Sequence, residues 1–163
     1  MELSYYRCYA VEVNTLKQSA VNRIVDIIGS NMREIDELEC RADGTTPKQA
    51  VKDSILCSDI CYILAYKNRP FVVMGASIDH CIWALGTDEA EKHKRALVKC
   101  GIDFIALAKE KFGYLYNFIS KRNQRALRFI TFAGAQLYDE VDVNGEPFIL
   151  FVIPGKGETE CVV

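Results

Sequence analysis

The chain has 163 residues, half of them hydrophobic and 26% charged, with a formal net charge of −2; this suits one ordinary domain that buries its core without disulfides or metals. Such a composition excludes disorder over most of the length, and the near-neutral charge excludes a chain that holds nucleic acid by general electrostatic attraction. No stretch approaches the roughly twenty apolar residues of a membrane helix, because charges interrupt every candidate.

Residues 5–13 alternate aromatic or aliphatic with polar side chains and predict a first strand. A helix follows, with Asn14 or Thr15 as its cap, Leu16, Ala20, Ile24 and Ile27/Ile28 on one face, and an end at Gly29. Residues 30–46 are polar and mixed, with a short helix over 32–38 and a loop through Asp43-Gly44. Thr46 then caps a helix opened by Pro47 and running to Ser58, since proline is tolerated in a first turn.

Three apolar runs, 60–66, 71–75 and 80–85, are separated by the turn-forming Lys67-Asn68-Arg69-Pro70 and by residues 76–79, and predict an antiparallel meander. A long helix over 88–111 has an apolar second half and a charged first half, where Asp88/Lys92 and Glu91/Arg95 are spaced four apart as favourable pairs. Residues 114–119 are nearly unbroken apolar, as in a central strand covered on both faces. Asn123 caps a helix with Ala126, Leu127, Ile130 and Ala133 inward and Gly134 at its end. A closing hairpin over 135–153 turns at Asn144-Gly145, which leaves one domain over 1–153 and a loose tail over 154–163.

The order strand, helices, meander, long helix, strand, short helix, hairpin resembles the GNAT N-acetyltransferase superfamily. The match is carried by Asn123-Gln124-Arg125-Ala126 with Phe129, by Gly134-Ala135 and by Asn144-Gly145, and it covers about residues 60–153. The resemblance implies an α/β (α+β) fold with a mixed central sheet flanked by helices. It also implies a gap between the strands on either side of the long helix, into which the pantetheine arm of coenzyme A inserts. In this chain that groove falls on Trp83, Ala84, Leu85, Gly86, Thr87 and Asn123, with the pyrophosphate at the helix start.

A narrower resemblance, to the internal virion protein A family of short-tailed phages, rests on Cys81-Ile82-Trp83, the basic stretch 92–95, the aromatic strand 114–118 and residues 123–135. It implies a protein of phage origin in the cytoplasm of an infected cell, with a phage or host protein as partner and a role in assembly or host interaction.

The chain departs from the enzyme pattern in two places. Where active members carry spaced glycines, this sequence has Gly86-Thr87-Asp88-Glu89-Ala90-Glu91; the acids suit a helix start and oppose a pyrophosphate there. Where many members carry a tyrosine that protonates the leaving thiolate, Ile130 stands, and no catalytic residue is assigned. The expectation is therefore weak or absent acyl transfer and no resident cofactor, with acetyl-coenzyme A as the cofactor if the alternative, a working N-acetyltransferase, holds. Lys121, Arg122, Arg125 and Arg128 form a basic cluster read as a solvated face or an anion site. The seven cysteines are read as reduced thiols. Cys57, Cys61 and Cys81 are taken for small buried hydrophobes and not for a zinc site.

Overall fold

The computed structural model describes residues 3–157. Cys161 and most of the expected loose tail lie outside the described residues. The N-terminal strand is a hairpin, β1 (Leu3–Tyr5) and β2 (Cys8–Glu12), turning on Tyr6 and Arg7. Both turn residues have positive φ, 47° and 70°, where a glycine or asparagine is usual. After a 3-10 turn come α1 (Gln18–Ser30), α2 (Glu34–Ala42) and α3 (Pro47–Cys57), the last capped by the Thr46 hydroxyl as expected. Helix α1 begins later than its sequence suggests, with no side-chain cap.

The meander is formed by β3 (Ile60–Tyr66), β4 (Arg69–Ala76) and β5 (Ile82–Gly86). With β1 and β2 it makes a five-stranded antiparallel sheet in the order β1-β2-β3-β4-β5. The strand covered on both faces is β4: Val72, Met74 and Ala76 pack toward the core under α4, while Val73 packs toward α1 and α3.

Thr87 leads into a 3-10 turn, Asp88–His93, and α4 (Lys94–Phe112) follows. The charged segment thus winds more tightly than the α-helix the sequence predicts, and side chains three apart come into line. Lys92 pairs with Glu89 at 2.9 Å and Lys94 with Glu91 at 3.2 Å, in place of the expected pairs at spacing four.

The chain closes with β6 (Leu115–Ser120), α5 (Gln124–Phe132), β7 (Gln136–Val143) and β8 (Glu146–Ile153), the last three strands forming a second sheet in the order β6-β8-β7. Strand β6 is covered less than expected: Phe118 on its outer face is exposed. The two sheets meet through one parallel bridge, Cys81 to Tyr116, where the Tyr116 amide donates to the His80 carbonyl at 2.9 Å. The mixed sheet is therefore parallel at its junction, as the right-handed crossover through α4 requires, and then splits.

Gly75 on β4 lies under the Trp83 ring, and a Cβ built there would sit 2.6 Å from two of its carbons. Gly75→Ala is expected to cost about 1–3 kcal/mol of stability through overpacking; urea unfolding followed by Trp83 fluorescence measures it.

Candidate functional site

Beyond the Cys81–Tyr116 bridge, β5 and β6 diverge, and a cleft of about 580 Å³ opens between them, bounded by α2 on one side and by α4 and α5 on the other. The backbone groups turned into the gap belong to Ile82 and Gly86 on β5 and to Tyr116, Phe118 and Ser120 on β6, as their hydrogen bonds show, and to Ala84 by the alternation of β5. The second rung is a side chain. Asn117 donates to the Ile82 carbonyl at 2.7 Å and accepts from the Phe118 amide at 2.7 Å, so its carboxamide takes the place of strand pairing.

At the open end α2 supplies the partners. Asp36 accepts from the Gly86 amide at 2.9 Å, and the Arg33 amide donates to the Gly86 carbonyl at 2.9 Å. Glu39, one turn on, accepts from the Ser120 amide at 3.0 Å and from Asn123 Nδ2 at 3.2 Å. Between these closures, among the described residues, no partner reaches the amide and carbonyl of Ala84 across the gap.

Asp36 is 2% exposed, and its charge is met by a two-point contact with Arg33, at 2.9 and 3.1 Å. Burial pushes its carboxyl above the usual range, while Arg33 and the Gly86 amide pull it back. Glu39 has hydrogen bonds to two uncharged donors and no guanidinium of its own. Burial, and then the neighbouring Asp36 carboxylate, push it up to about 7.

Of the six residues expected to form the groove, Trp83, Ala84, Leu85 and Asn123 line the cleft. The Trp83 ring turns toward α3, with its Nε1 donating to Ser58 Oγ at 2.8 Å. Asn123 is buried as the cap of α5, accepting from the Ala126 amide. Gly86 is committed to Asp36 and Arg33 as described. Thr87 is buried, its amide donating to the Phe71 carbonyl at 2.8 Å. Ile130 lines the cleft with no proton to give; among the described residues lining it there is no tyrosine or histidine.

The basic cluster is largely paired. Lys121 meets Glu140, Arg122 meets Glu146, and Arg125 forms an ion pair with Glu91 at the cleft mouth. His93 packs against Tyr66 and Phe71 with its Nε2 3.3 Å from Glu89, but not aligned for a hydrogen bond. Asp36, Glu39 and Asn117 carry no signal in the sequence beyond polar residues in a helix and in an apolar strand.

The cysteines divide by burial. Cys8, Cys40, Cys61 and Cys100 are buried, and burial raises all four thiols, those of Cys61 and Cys100 to about 12. Cys57 was expected to be buried and is exposed at the end of α3.

No protein-family model matches the chain, and no curated protein matches it either. Solved structures do. The ribosomal-protein-S5-alanine acetyltransferase of Vibrio fischeri superposes with a TM-score of 0.66 at 13% identity, over 96% of this chain and 98% of that one. A ribosomal L7/L12 alpha-N-protein acetyltransferase in complex with coenzyme A gives 0.63 at 10% identity, over 97% and 100%. A GNAT-family acetyltransferase of Bacillus anthracis gives 0.59 at 8% identity, over 93% and 96%. At such identities the likeness is one of fold, and the fold is that of the GNAT acetyltransferases. Among the described residues no helix is long and apolar enough to cross a membrane.

Two outcomes are expected. A soluble thiol reagent modifies Cys57 well before Cys8, Cys40, Cys61 or Cys100 in the native protein, read by mass spectrometry of the labelled peptides. Glu39, whose folded value of about 7 exceeds its unfolded value of about 4.5, stabilises the protein fully below the unfolded value and loses that contribution as pH rises through the folded one. Glu39→Gln therefore becomes more stable relative to the parent between about pH 5 and pH 8, by on the order of 1–3 kcal/mol, in urea titrations at each pH.

Proposed function

We propose that this chain is a GNAT-fold protein that acts by binding, in virion assembly or on a host factor, with acyl transfer weak or absent. The assembly or host role follows the resemblance to internal virion protein A, and one observation supports weak or absent acyl transfer: the Gly86 amide, the backbone donor at the end of β5, is already held by the Asp36 carboxylate. A pyrophosphate at this place would have to displace a carboxylate that Arg33 holds at two points.

It would also meet Asp88, Glu89 and Glu91 at the start of the following turn, while Lys92, Lys94 and Arg125 are engaged by those same acids. These residues fit a pyrophosphate poorly. Charge-assisted hydrogen bonds contribute about 1.5–3 kcal/mol each, and each 1.4 kcal/mol is about tenfold in affinity, so losing two or three takes a micromolar ligand to millimolar. Ile130 at the place of a general acid removes a further factor of about 10²–10⁴ from any transfer step.

A second reading, a working N-acetyltransferase using acetyl-coenzyme A, is favoured by a different pair of observations. The Ala84 edge is open to an extended amide, and Glu39, pushed up to about 7, faces the cleft where a base would stand.

Calorimetry with acetyl-coenzyme A separates the two. The expected result is no saturable binding below about millimolar and no acetylation of generic amines above background. The double change Asp88→Gly and Glu89→Gly, which releases Lys92 and removes two charges, is expected to raise affinity. Micromolar binding by the unaltered protein would overturn the first reading in favour of the second.

A further inference from the structure

We propose that α2 is a proton-operated latch: Asp36 and Glu39 hold the free ends of β5 and β6 together while Glu39 carries its proton, and release them when Glu39 is charged. The inference rests on the reading of the cleft as a groove held shut by the chain's own carboxylates.

The geometry isolates these contacts. Past the Asn117 rung, the link between the two strand ends runs through one short helix, with Gly86 on Asp36 and Ser120 on Glu39. Residues 36 and 39 are one helical turn apart on the same face, so two charges there repel at close range. Arg33 is committed to Asp36 by both of its contacts, which leaves Glu39 without a cation.

The other groups facing Glu39 do not supply one. On its own helix these are Asp36 and the Cys40 thiol, with Arg33 just before it. From the end of β6 they are the Ser120 amide and Asn123, and behind Ser120 stand Glu146 of β8 and Arg122, which are paired with each other. From beyond β5, Asp88 adds negative charge at Asp36. Charging Glu39 in the closed position is opposed by its burial and by Asp36, which together outweigh the Ser120 and Asn123 donors and Arg33 that favour the charge, and turning its carboxylate out to water relieves that opposition. Release frees the Gly86 and Ser120 amides and the Asn123 carboxamide at the mouth of the cleft.

The test needs no ligand. Trp83 is the single tryptophan and stands on β5 with its ring toward α3, so its fluorescence reports movement of β5 against that helix. Amide exchange at Gly86 and Ser120, divided by the intrinsic rate at each pH, reports the two latch contacts. Between about pH 5.5 and about pH 8.5 both signals are expected to show one transition centred near 7, with protection of the two amides falling as pH rises.

Glu39→Gln is expected to abolish the transition, and Asp36→Asn to move it to lower pH by removing the neighbouring charge. His80→Gln and His93→Gln are expected to leave it in place, which separates it from histidine titration. Exchange that is flat with pH in the parent protein, or a transition that survives Glu39→Gln, overturns the latch. Either result leaves the binding-protein reading standing, whereas micromolar acetyl-coenzyme A affinity sinks that reading whatever the amides do.

Discussion

One backbone hydrogen bond, from the Tyr116 amide to the His80 carbonyl, decides where the two sheets of this protein meet. His80 reaches it with φ of 68°, an uncommon conformation for a residue with a Cβ, and its ring stacks on Tyr114 at 4.1 Å. After that contact the strands cannot go on pairing, because Asn117 pushes its carboxamide between them and takes the next carbonyl and amide for itself. The rest of the site follows from a rule of accounting: backbone donors and acceptors left in a closing gap must find partners. Ile82, Gly86, Phe118 and Ser120 find theirs in side chains and in α2.

The partners at the open end bring a cost of their own. A carboxylate as enclosed as Asp36 is tolerable only with a cation and good geometry, and Arg33 provides both. Glu39 takes the corresponding place on β6 with neutral donors alone. The result is a helix turn with one compensated and one uncompensated acid, joined to the body of the protein through contacts that depend on the state of the second. The tension is confined to α2. The strands themselves are anchored in one large core, β5 through Ile82 and β6 through Leu115.

Sequence patterning made most of the fold legible and little of the site. The meander is written in apolar runs, the closing hairpin in Asn144-Gly145 with φ of 52° and 87°, and α5 in the Asn123 cap. The first hairpin was hidden because Tyr6 and Arg7 are not residues that announce a turn. The segment after Thr87 reads as the start of an α-helix, since 3-10 winding has no pattern of its own over six residues. Asp36 and Glu39 read as surface acids because what buries them is remote in the chain: Gly86 lies 50 residues from one and Ser120 lies 81 from the other. The basic run after β6 reads as a solvated face or an anion site, and the acids that pair with it, Glu91, Glu140 and Glu146, come from three other elements.

The acids after Gly86 and the carboxylates on α2 stand at the same end of the cleft. A splayed pair of strands keeps its shape only if something satisfies the exposed edge, and a bound ligand with amides and phosphates can do that in a protein of this fold. Side chains of a neighbouring helix can supply partners for the same edge from within. Asp36 does so for the Gly86 amide. Glu89 and Glu91 engage Lys92, Lys94 and Arg125 at the surface. The backbone frame shared with the acetyltransferases and the altered chemistry of its cleft are then two consequences of the same demand for hydrogen-bond partners along a split sheet.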